Sequence, residues 1–512
     1  MYVLFNFISD YIQKNRYQIV FYTSCFIFLI AAIKNIGYFH PDEHYQIIEF
    51  AGYKLGWSNS EELAWEFNSM LRPTLQVWLC LGVFKIFNIL GVTDPYFLSF
   101  FLRLLTAIYA LAAIHIFYHQ VKKFLHTNLY FIFYIFCFFI WFIPFISIRF
   151  SSETWSGLSF LIGISFLLKS NRDRRDNIIT GVMLALSFLF RYQAGIMIFG
   201  VILWTVIVRR EKWINLLEIF IAFIIIIQCG VALDAAFYGK YVYTLWNYFN
   251  VNILDNVSAT FGTSPWTDIL LYMSVYTLIP IGLLISLSVL IVLVRNPLNP
   301  FLWCVIPFII IHAIIPHKEV RFLFPIVWFA PIFILLAYEE ILKYFKINTI
   351  SLQTKRLIGI LGIPIVFLNM YALWISVTIP SGLGQKYITQ AIYLDYHGKP
   401  IRIFHTPYGN PYQPWPGLIE KFYKTSNIFF TEINRPNQIR QSELIRSDTT
   451  YMLAIRDYEN IGRLLDYKIM QSGWFLNSKY NTVWSKDWSD YFKGTAEAST
   501  FQLFIIKNKY DE

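Results

Sequence analysis

Twelve apolar runs dominate this chain, many of them near the roughly 20 residues that one helical crossing of a bilayer needs. They lie at 17–38, 73–92, 97–120, 129–148, 154–169, 178–190, 194–208, 213–233, 267–294, 301–315, 322–342 and 357–379. Lipid offers no partner to a backbone N–H or C=O, so such runs fold as helices. Composition agrees: 56% of the 512 residues are hydrophobic and 14% are charged, against roughly 25% charged in soluble chains. A polytopic, all-α membrane protein follows, and a soluble enzyme or a nucleic-acid binder does not. The net charge of +10 could suggest an anionic polymer as partner. Many of the basic residues, however, sit in short loops between apolar runs, where cytoplasmic anchoring accounts for them.

After Pro380 the composition shifts to Asn, Lys, Asp, Tyr and Gly. Short β-like runs appear there, such as Tyr451 to Ile455 and Phe501 to Ile506. The expected organisation is a multispanning domain over 1–379 and a soluble α/β domain over 380–512. Cys25, Cys80, Cys137, Cys229 and Cys304 all fall in apolar segments, which argues against a disulfide framework or a zinc site. The run 17–38 has no small-residue cleavage site and reads as a true span.

Basic clusters set the topology. Lys122 and Lys123; Arg172, Arg174 and Arg175; Arg209, Arg210 and Lys212; Arg295; and Lys343, Lys346, Lys355 and Arg356 mark five loops. With all five in the cytoplasm, 129–148 and 154–169 form a hairpin that turns at Arg149 to Glu153. The pair 178–190 and 194–208 turns at Arg191 to Gln193. Parity then allows only one of 73–92 and 97–120 to cross. Interrupted by Lys85 and Asn88, 73–92 reads as a re-entrant or interfacial helix in the outer leaflet. About eleven spans remain, with an internal N-terminus and an external C-terminal domain.

That topology gathers ionisable residues on the non-cytoplasmic face, and ionisable groups at membrane depth are functional candidates. The first outer loop holds His40, Asp42, Glu43, His44, Glu49, Glu66 and Arg72. The hairpin tips hold Arg149, Glu153 and Arg191, and Asp234 ends a later span. Trp266 closes another outer loop, and His317, Lys318, Glu319 and Arg321 form the next. Asp42 or Glu43 could take a proton from a hydroxyl nucleophile; the plainer alternative is a solvated cluster at a helix end. Lys318 and Arg321, one helical turn apart, could grip a phosphate or simply anchor a helix. Arg149, Glu153 and Arg191 could be an ion-pair set that joins two hairpins. Trp266 could stack on a sugar or belong to the interfacial aromatic belt. Outer loops lack Asp-x-Asp, and no Walker loop or Gly-x-Gly-x-x-Gly helix start is present. A metal-held nucleotide sugar is therefore not expected.

At these residues the chain resembles the Alg9-like mannosyltransferases, glycosyltransferase family 22 of the multispanning GT-C fold. That family includes the mannosyltransferases of the lipid-linked N-glycan precursor and the third mannosyltransferase of GPI-anchor synthesis. Four stretches carry the likeness, in family order. They are His40-Pro41-Asp42-Glu43 with Gln46 and Glu49; Ala64-Trp65-Glu66-Phe67 leading to Leu71-Arg72-Pro73; Asp234 with Tyr238-Gly239-Lys240 and Phe261 to Trp266; and Pro316-His317-Lys318-Glu319-Val320-Arg321-Phe322-Leu323. Val320 stands where the family commonly has an acid, and Leu71-Arg72-Pro73 is a loose version of its motif.

The resemblance implies a donor of mannose on polyprenyl (dolichyl or undecaprenyl) phosphate and a glycan or glycolipid hydroxyl as acceptor. It implies inversion at the sugar, no cofactor, and a site on the periplasmic or lumenal side of a bacterial inner membrane or an endoplasmic reticulum membrane. It assigns Asp42, with Glu43 second, as the base. His317, Lys318 and Arg321 would hold the donor phosphate. His40, His44, Glu66, Arg72, Arg149, Glu153, Arg191, Asp234, Trp266 and Glu319 would line the substrates. Two readings compete: a GT-C transferase of another lipid-linked sugar to a cell-envelope glycan, and a lipid-linked-sugar transporter. The second would show repeats and broken helices at the midplane, whereas here the ionisable groups gather at one face. A fold-retaining assembly subunit without chemistry is a further alternative.

Overall fold

The computed structural model describes residues 2–347, 351–381, 385–413, 417–434, 439, 444, 446, 448–456, 467–472 and 501–506. The chain forms two compact units. One comprises Met1–Ala32, Met70–Gln76 and Arg103–Thr378; the other comprises Ile33–Ser69, Val77–Leu102 and Ile379–Glu512.

Helices follow the apolar runs closely. They are α1 (Tyr2–Lys34), α2 (Leu75–Ile89), α3 (Pro95–Val121), α4 (Tyr130–Phe139), α5 (Ser152–Leu167), α6 (Arg174–Phe190) and α7 (Ala194–Ile207). Then come α8 (Trp213–Tyr238), α9 (Ile279–Arg295), α10 (Pro300–Ile314), α11 (Ala330–Tyr344), α12 (Leu352–Thr378) and α13 (Gln385–Asp395). Among the described residues, five stretches are long and apolar enough to cross a membrane: Gln13–Lys34, Pro95–Phe124, Trp213–Tyr238, Val320–Tyr344 and Gly359–Thr378. A sixth exists if the bent pair α9 and α10 counts as one span. Eleven complete crossings are thus more than helix length and composition alone deliver, because several arms are short. Helix α2 has 15 residues, about 22 Å at 1.5 Å per residue, less than the roughly 30 Å of a hydrocarbon core.

Three runs break where the sequence reads as continuous. The run 267–294 splits into Asp268–Val275 and α9, with Leu278 at φ 70° in the break and Pro280 in the first turn that follows. The run 129–148 splits into α4 and a short helix Phe142–Ile146. The run 322–342 starts as a 3₁₀ helix, Val320–Phe329, with Pro325 inside it, and continues as α11. Between α9 and α10 the chain turns by 119°. Asn299 caps the new helix by accepting from the Phe301 N–H at 3.0 Å.

Close backbone approach fixes two helix contacts in the first unit. A Cβ on Gly200 of α7 would lie 1.8 Å from the carbonyl oxygen of Trp303 on α10, so only glycine fits. A Cβ on Gly157 of α5 would lie 2.7 Å from the Pro325 Cα and 2.4 Å from the Trp328 ring.

In the second unit a five-stranded sheet has the order β2-β1-β3-β5-β4. Its strands are β1 (Ile401–His405), β2 (Ile428–Glu432), β3 (Thr450–Arg456), β4 (Tyr467–Ser472) and β5 (Phe501–Ile506). The pairs β1–β2 and β1–β3 are parallel; β3–β5 and β4–β5 are antiparallel. Both expected strands, β3 and β5, are present. Tyr451, Leu453 and Ile455 alternate along β3 and join Phe404, Phe504 and Ile506 in one apolar cluster, as the period of two in a strand requires.

Candidate active site

Glu153 organises the polar heart of the first unit. Ser151 caps α5 by accepting from the Thr154 N–H at 3.3 Å, which puts Glu153 in the first helical turn. A carboxylate there is favoured by the exposed N–H groups of a helix start. Arg191 is the residue at which α6 ends, and its backbone is extended. Ser156 of α5 donates to the Ser187 carbonyl of α6 at 2.8 Å. One turn on from that contact, the Arg191 guanidinium meets Glu153 Oε1 at 2.7 Å. Arg321 reaches the same oxygen at 3.0 Å. The Gly157–Pro325 contact makes this possible, since each residue lies four positions after a member of the ion pair. Glu153 is 1% exposed; Arg191 and Arg321 are 5% exposed each.

The chain of contacts continues outward. Arg321 Nε also pairs with Glu319 Oε2, and Glu319 Oε1 lies 2.8 Å from His317 Nε2. That hydrogen bond raises the His317 pKa above its ordinary 6.5, against an opposing effect of burial. Arg72 is near enough to Arg191 to repel it. Two buried guanidiniums, Arg191 and Arg321, thus share Glu153, and Arg321 reaches Glu319 as well. Arg149 is buried close by in sequence, its Nε donating to the Phe145 carbonyl at 3.4 Å with the guanidinium 4.4 Å from the Phe145 ring centroid.

Lys318 is placed differently from the helical-turn expectation. Residues 317–319 precede the 3₁₀ helix, and Glu319 is extended. The Lys318 ammonium donates to the carbonyls of Ser264 and Ile315 at 2.8 and 2.7 Å. It thus ties the loop that ends at Trp266 to the His317 segment, and its desolvation lowers its pKa. Trp266 is 63% exposed.

Asp234 is engaged on both oxygens. Oδ1 accepts from the Thr74 N–H at 2.7 Å and from the Thr74 hydroxyl at 2.6 Å; Oδ2 accepts from Thr244 at 2.6 Å. Tyr238, one turn later on α8, donates to the Arg72 carbonyl at 3.0 Å. In this geometry Asp234 holds the 72–74 segment, and with it Arg72. Thr74 and Thr244 did not stand out in the sequence; only the fold pairs them with Asp234.

The second unit carries the remaining candidates. Helix α1 ends at Lys34, and Asp42 lies beyond it in the first turn of a new short helix, Pro41–Glu43. His40 caps that turn, its Nδ1 accepting from the Asp42 N–H at 3.2 Å. The Asp42 side chain keeps 23% of its exposure, whereas Glu43 and His44 are buried at 8% and 1%. His44 Nε2 meets Glu49 Oε1 at 2.8 Å. Burial pushes the His44 pKa down, against the opposing effect of Glu49. Glu66 accepts from Gln46 at 2.9 Å. Of the candidates in this unit, the more open carboxylate of the His40–His44 turn is Asp42. Among the described residues no group of three or more His, Cys, Asp or Glu could hold a metal ion.

Known proteins resemble this chain in sequence and in fold. A model of the Alg9-like mannosyltransferase family matches residues 19–411. The GPI alpha-1,2-mannosyltransferase 3 of Xenopus laevis is 21% identical over 312 residues, 60% of this chain and 57% of that protein. The GPI mannosyltransferase 3 of Yarrowia lipolytica is 23% identical over 341 residues, 64% of each. The chain therefore spans less than two thirds of the length of these relatives. Among solved structures, ArnT from Cupriavidus metallidurans in the apo state is similar in fold, with a TM-score of 0.50 and 10% identity over 90% of this chain and 96% of that one.

Proposed function

The chain belongs to the Alg9-like mannosyltransferase family, and we propose that it transfers mannose from polyprenyl-phosphate-mannose to a glycan or glycolipid hydroxyl. The named relatives are GPI mannosyltransferases, and the Xenopus laevis one is named as an alpha-1,2-mannosyltransferase, which favours a glycolipid acceptor and an α-1,2 linkage. The acceptor oxygen attacks mannose C1, the C1–O bond to phosphate breaks, and the carbon inverts. The bond electrons leave with the polyprenyl phosphate. The hydroxyl proton passes to a carboxylate, for which Asp42 is the candidate, with Glu43 second. Charge then grows on the departing phosphate, and fixed cations lower that barrier.

One observation carries this reading: two buried guanidiniums, Arg191 and Arg321, converge on Glu153. A guanidinium carries more N–H donors than one carboxylate takes up, and a phosphate would accept from them. Arg321 is the candidate to grip it, because a guanidinium matches phosphate oxygens two at a time. The segment 317–319, with Lys318 in it, would shape that grip. Charge-assisted hydrogen bonds of this kind contribute about 1.5–3 kcal/mol. Arg321→Ala should therefore raise the donor KM or lower turnover by about tenfold or more. Steady-state kinetics with polyprenyl-phosphate-mannose on purified enzyme check this. Normal donor kinetics in Arg321→Ala would leave the cluster a structural one.

We further propose the topology that the basic loops imply, with eleven crossings and an internal N-terminus. The C-terminal part and the end of α2 then lie on the periplasmic or lumenal side. Thr93 and His397 are exposed, so each can carry a single cysteine in a background free of the five native ones. An impermeant thiol reagent should reach both from the non-cytoplasmic face. Labelling of Thr93→Cys from the cytoplasm alone would overturn the re-entrant placement of α2.

A further inference from the structure

The turn that carries Asp42 is held by residues some 340 to 380 positions away. His44, Glu49, Lys386 and Glu420 are all ionisable, and none is more than 2% exposed. Such burial is tolerated only with close partners, and each has one. Glu420 pairs with the Lys386 ammonium and accepts from the Tyr38 hydroxyl at 2.7 Å. Glu49 accepts from His44, and also from the Phe422 N–H at 3.1 Å. The His44 imidazole stacks with the rings of Tyr38 and Tyr423, each centroid 5.5 Å away. Lys386 lies over the same two rings, at 5.6 and 4.8 Å.

These contacts bracket Asp42. Tyr38 precedes it by four residues and His44 follows it by two. At Gly37, φ +91°, the chain passes so near Ser381 that a Cβ would sit 2.6 Å from the Ser381 carbonyl oxygen. Both ends of the turn are therefore pinned, while the Asp42 carboxylate between them keeps part of its exposure.

We propose that Lys386 and Glu420 are positioning residues for Asp42, and that together with Phe422 and Tyr423 they brace the acid turn. The proposal rests on the reading of Asp42 as the base. A base must lie within hydrogen-bond reach of the proton it takes, and misplacement by about 1 Å can cost about a hundredfold.

The test is a double-mutant cycle in the full-length enzyme. Glu420→Gln and Lys386→Met are each expected to lower kcat at least about tenfold while the donor KM stays within about twofold. In an Asp42→Asn background, Glu420→Gln should cost less than about twofold more, because the group it positions is already gone. If Glu420→Gln does not accumulate, Tyr38→Phe decides the question: it removes one hydroxyl from Glu420, and a severalfold lower kcat at unchanged donor KM is expected. Wild-type kcat in these variants, a donor KM that rises as much as kcat falls, or losses that multiply with that of Asp42→Asn would overturn the proposal. Failure of the base reading is distinguishable, since Asp42→Asn would then itself turn over normally.

Discussion

Asp42→Asn is expected to cut turnover by at least about a hundredfold while leaving donor binding nearly unchanged, because a placed carboxylate contributes about 10² to 10⁴-fold. A sugar hydroxyl is a poor nucleophile at neutral pH, so the proton has to leave as the new bond forms. The substitution keeps size and hydrogen bonding and removes the basic oxygen. Glu43→Gln should be milder, since Glu43 is more buried than Asp42. The competing account makes Asp42 a structural member of the His40 turn. It predicts an active Asp42→Asn enzyme with a lower melting temperature. Turnover and melting temperature measured on the same purified variants separate the two, and normal turnover would end the base assignment.

Glu153→Gln is expected to be the most damaging single change in the first unit. Glu153 Oε1 is shared by Arg191 and Arg321, at 2.7 and 3.0 Å. The amide would take away the carboxylate charge that both buried guanidiniums share, leaving Arg321 with Glu319. Removal of one partner from a buried pair costs about 3–5 kcal/mol, a large part of the ~5–15 kcal/mol that holds a typical domain. Thermal unfolding in detergent should shift down sharply, and transferase activity should fall with it. Arg191→Met added to Glu153→Gln removes one of the two guanidiniums that shared Glu153 and should recover part of the stability. A melting curve unchanged by Glu153→Gln would show that the three groups do not depend on one another.

How far these features could be read in advance differs from residue to residue. The apolar runs announce their helices, because lipid and helix demand the same thing of a segment: internal hydrogen bonds and an apolar surface. The hairpin tips at Arg149 to Glu153 and at Arg191 were legible for the same reason, as charged residues in short breaks between such runs. An ion-pair set among them was one of the open readings, and Glu153 with Arg191 does form a pair. That Arg321 joins them depends on Gly157 and Pro325 touching, which no local pattern announces. Lys318 and Arg321 do not share a helical turn, because the chain is extended at Glu319 before the 3₁₀ helix begins.

Composition and periodicity alone determined the membrane character, the helices and the change to a polar, strand-bearing segment after Pro380. Those properties are local: each depends on the residues within one run. Only the tertiary structure decided which charges meet. Asp234 clasps Thr74 and Thr244, Glu49 accepts from the Phe422 backbone, and Glu420 finds Lys386 and Tyr38. A buried charge specifies that it needs a partner and is silent about which one. The choice is made by the packing that brings distant segments together, and so the compact unit that contains Asp42 also contains residues 379–512.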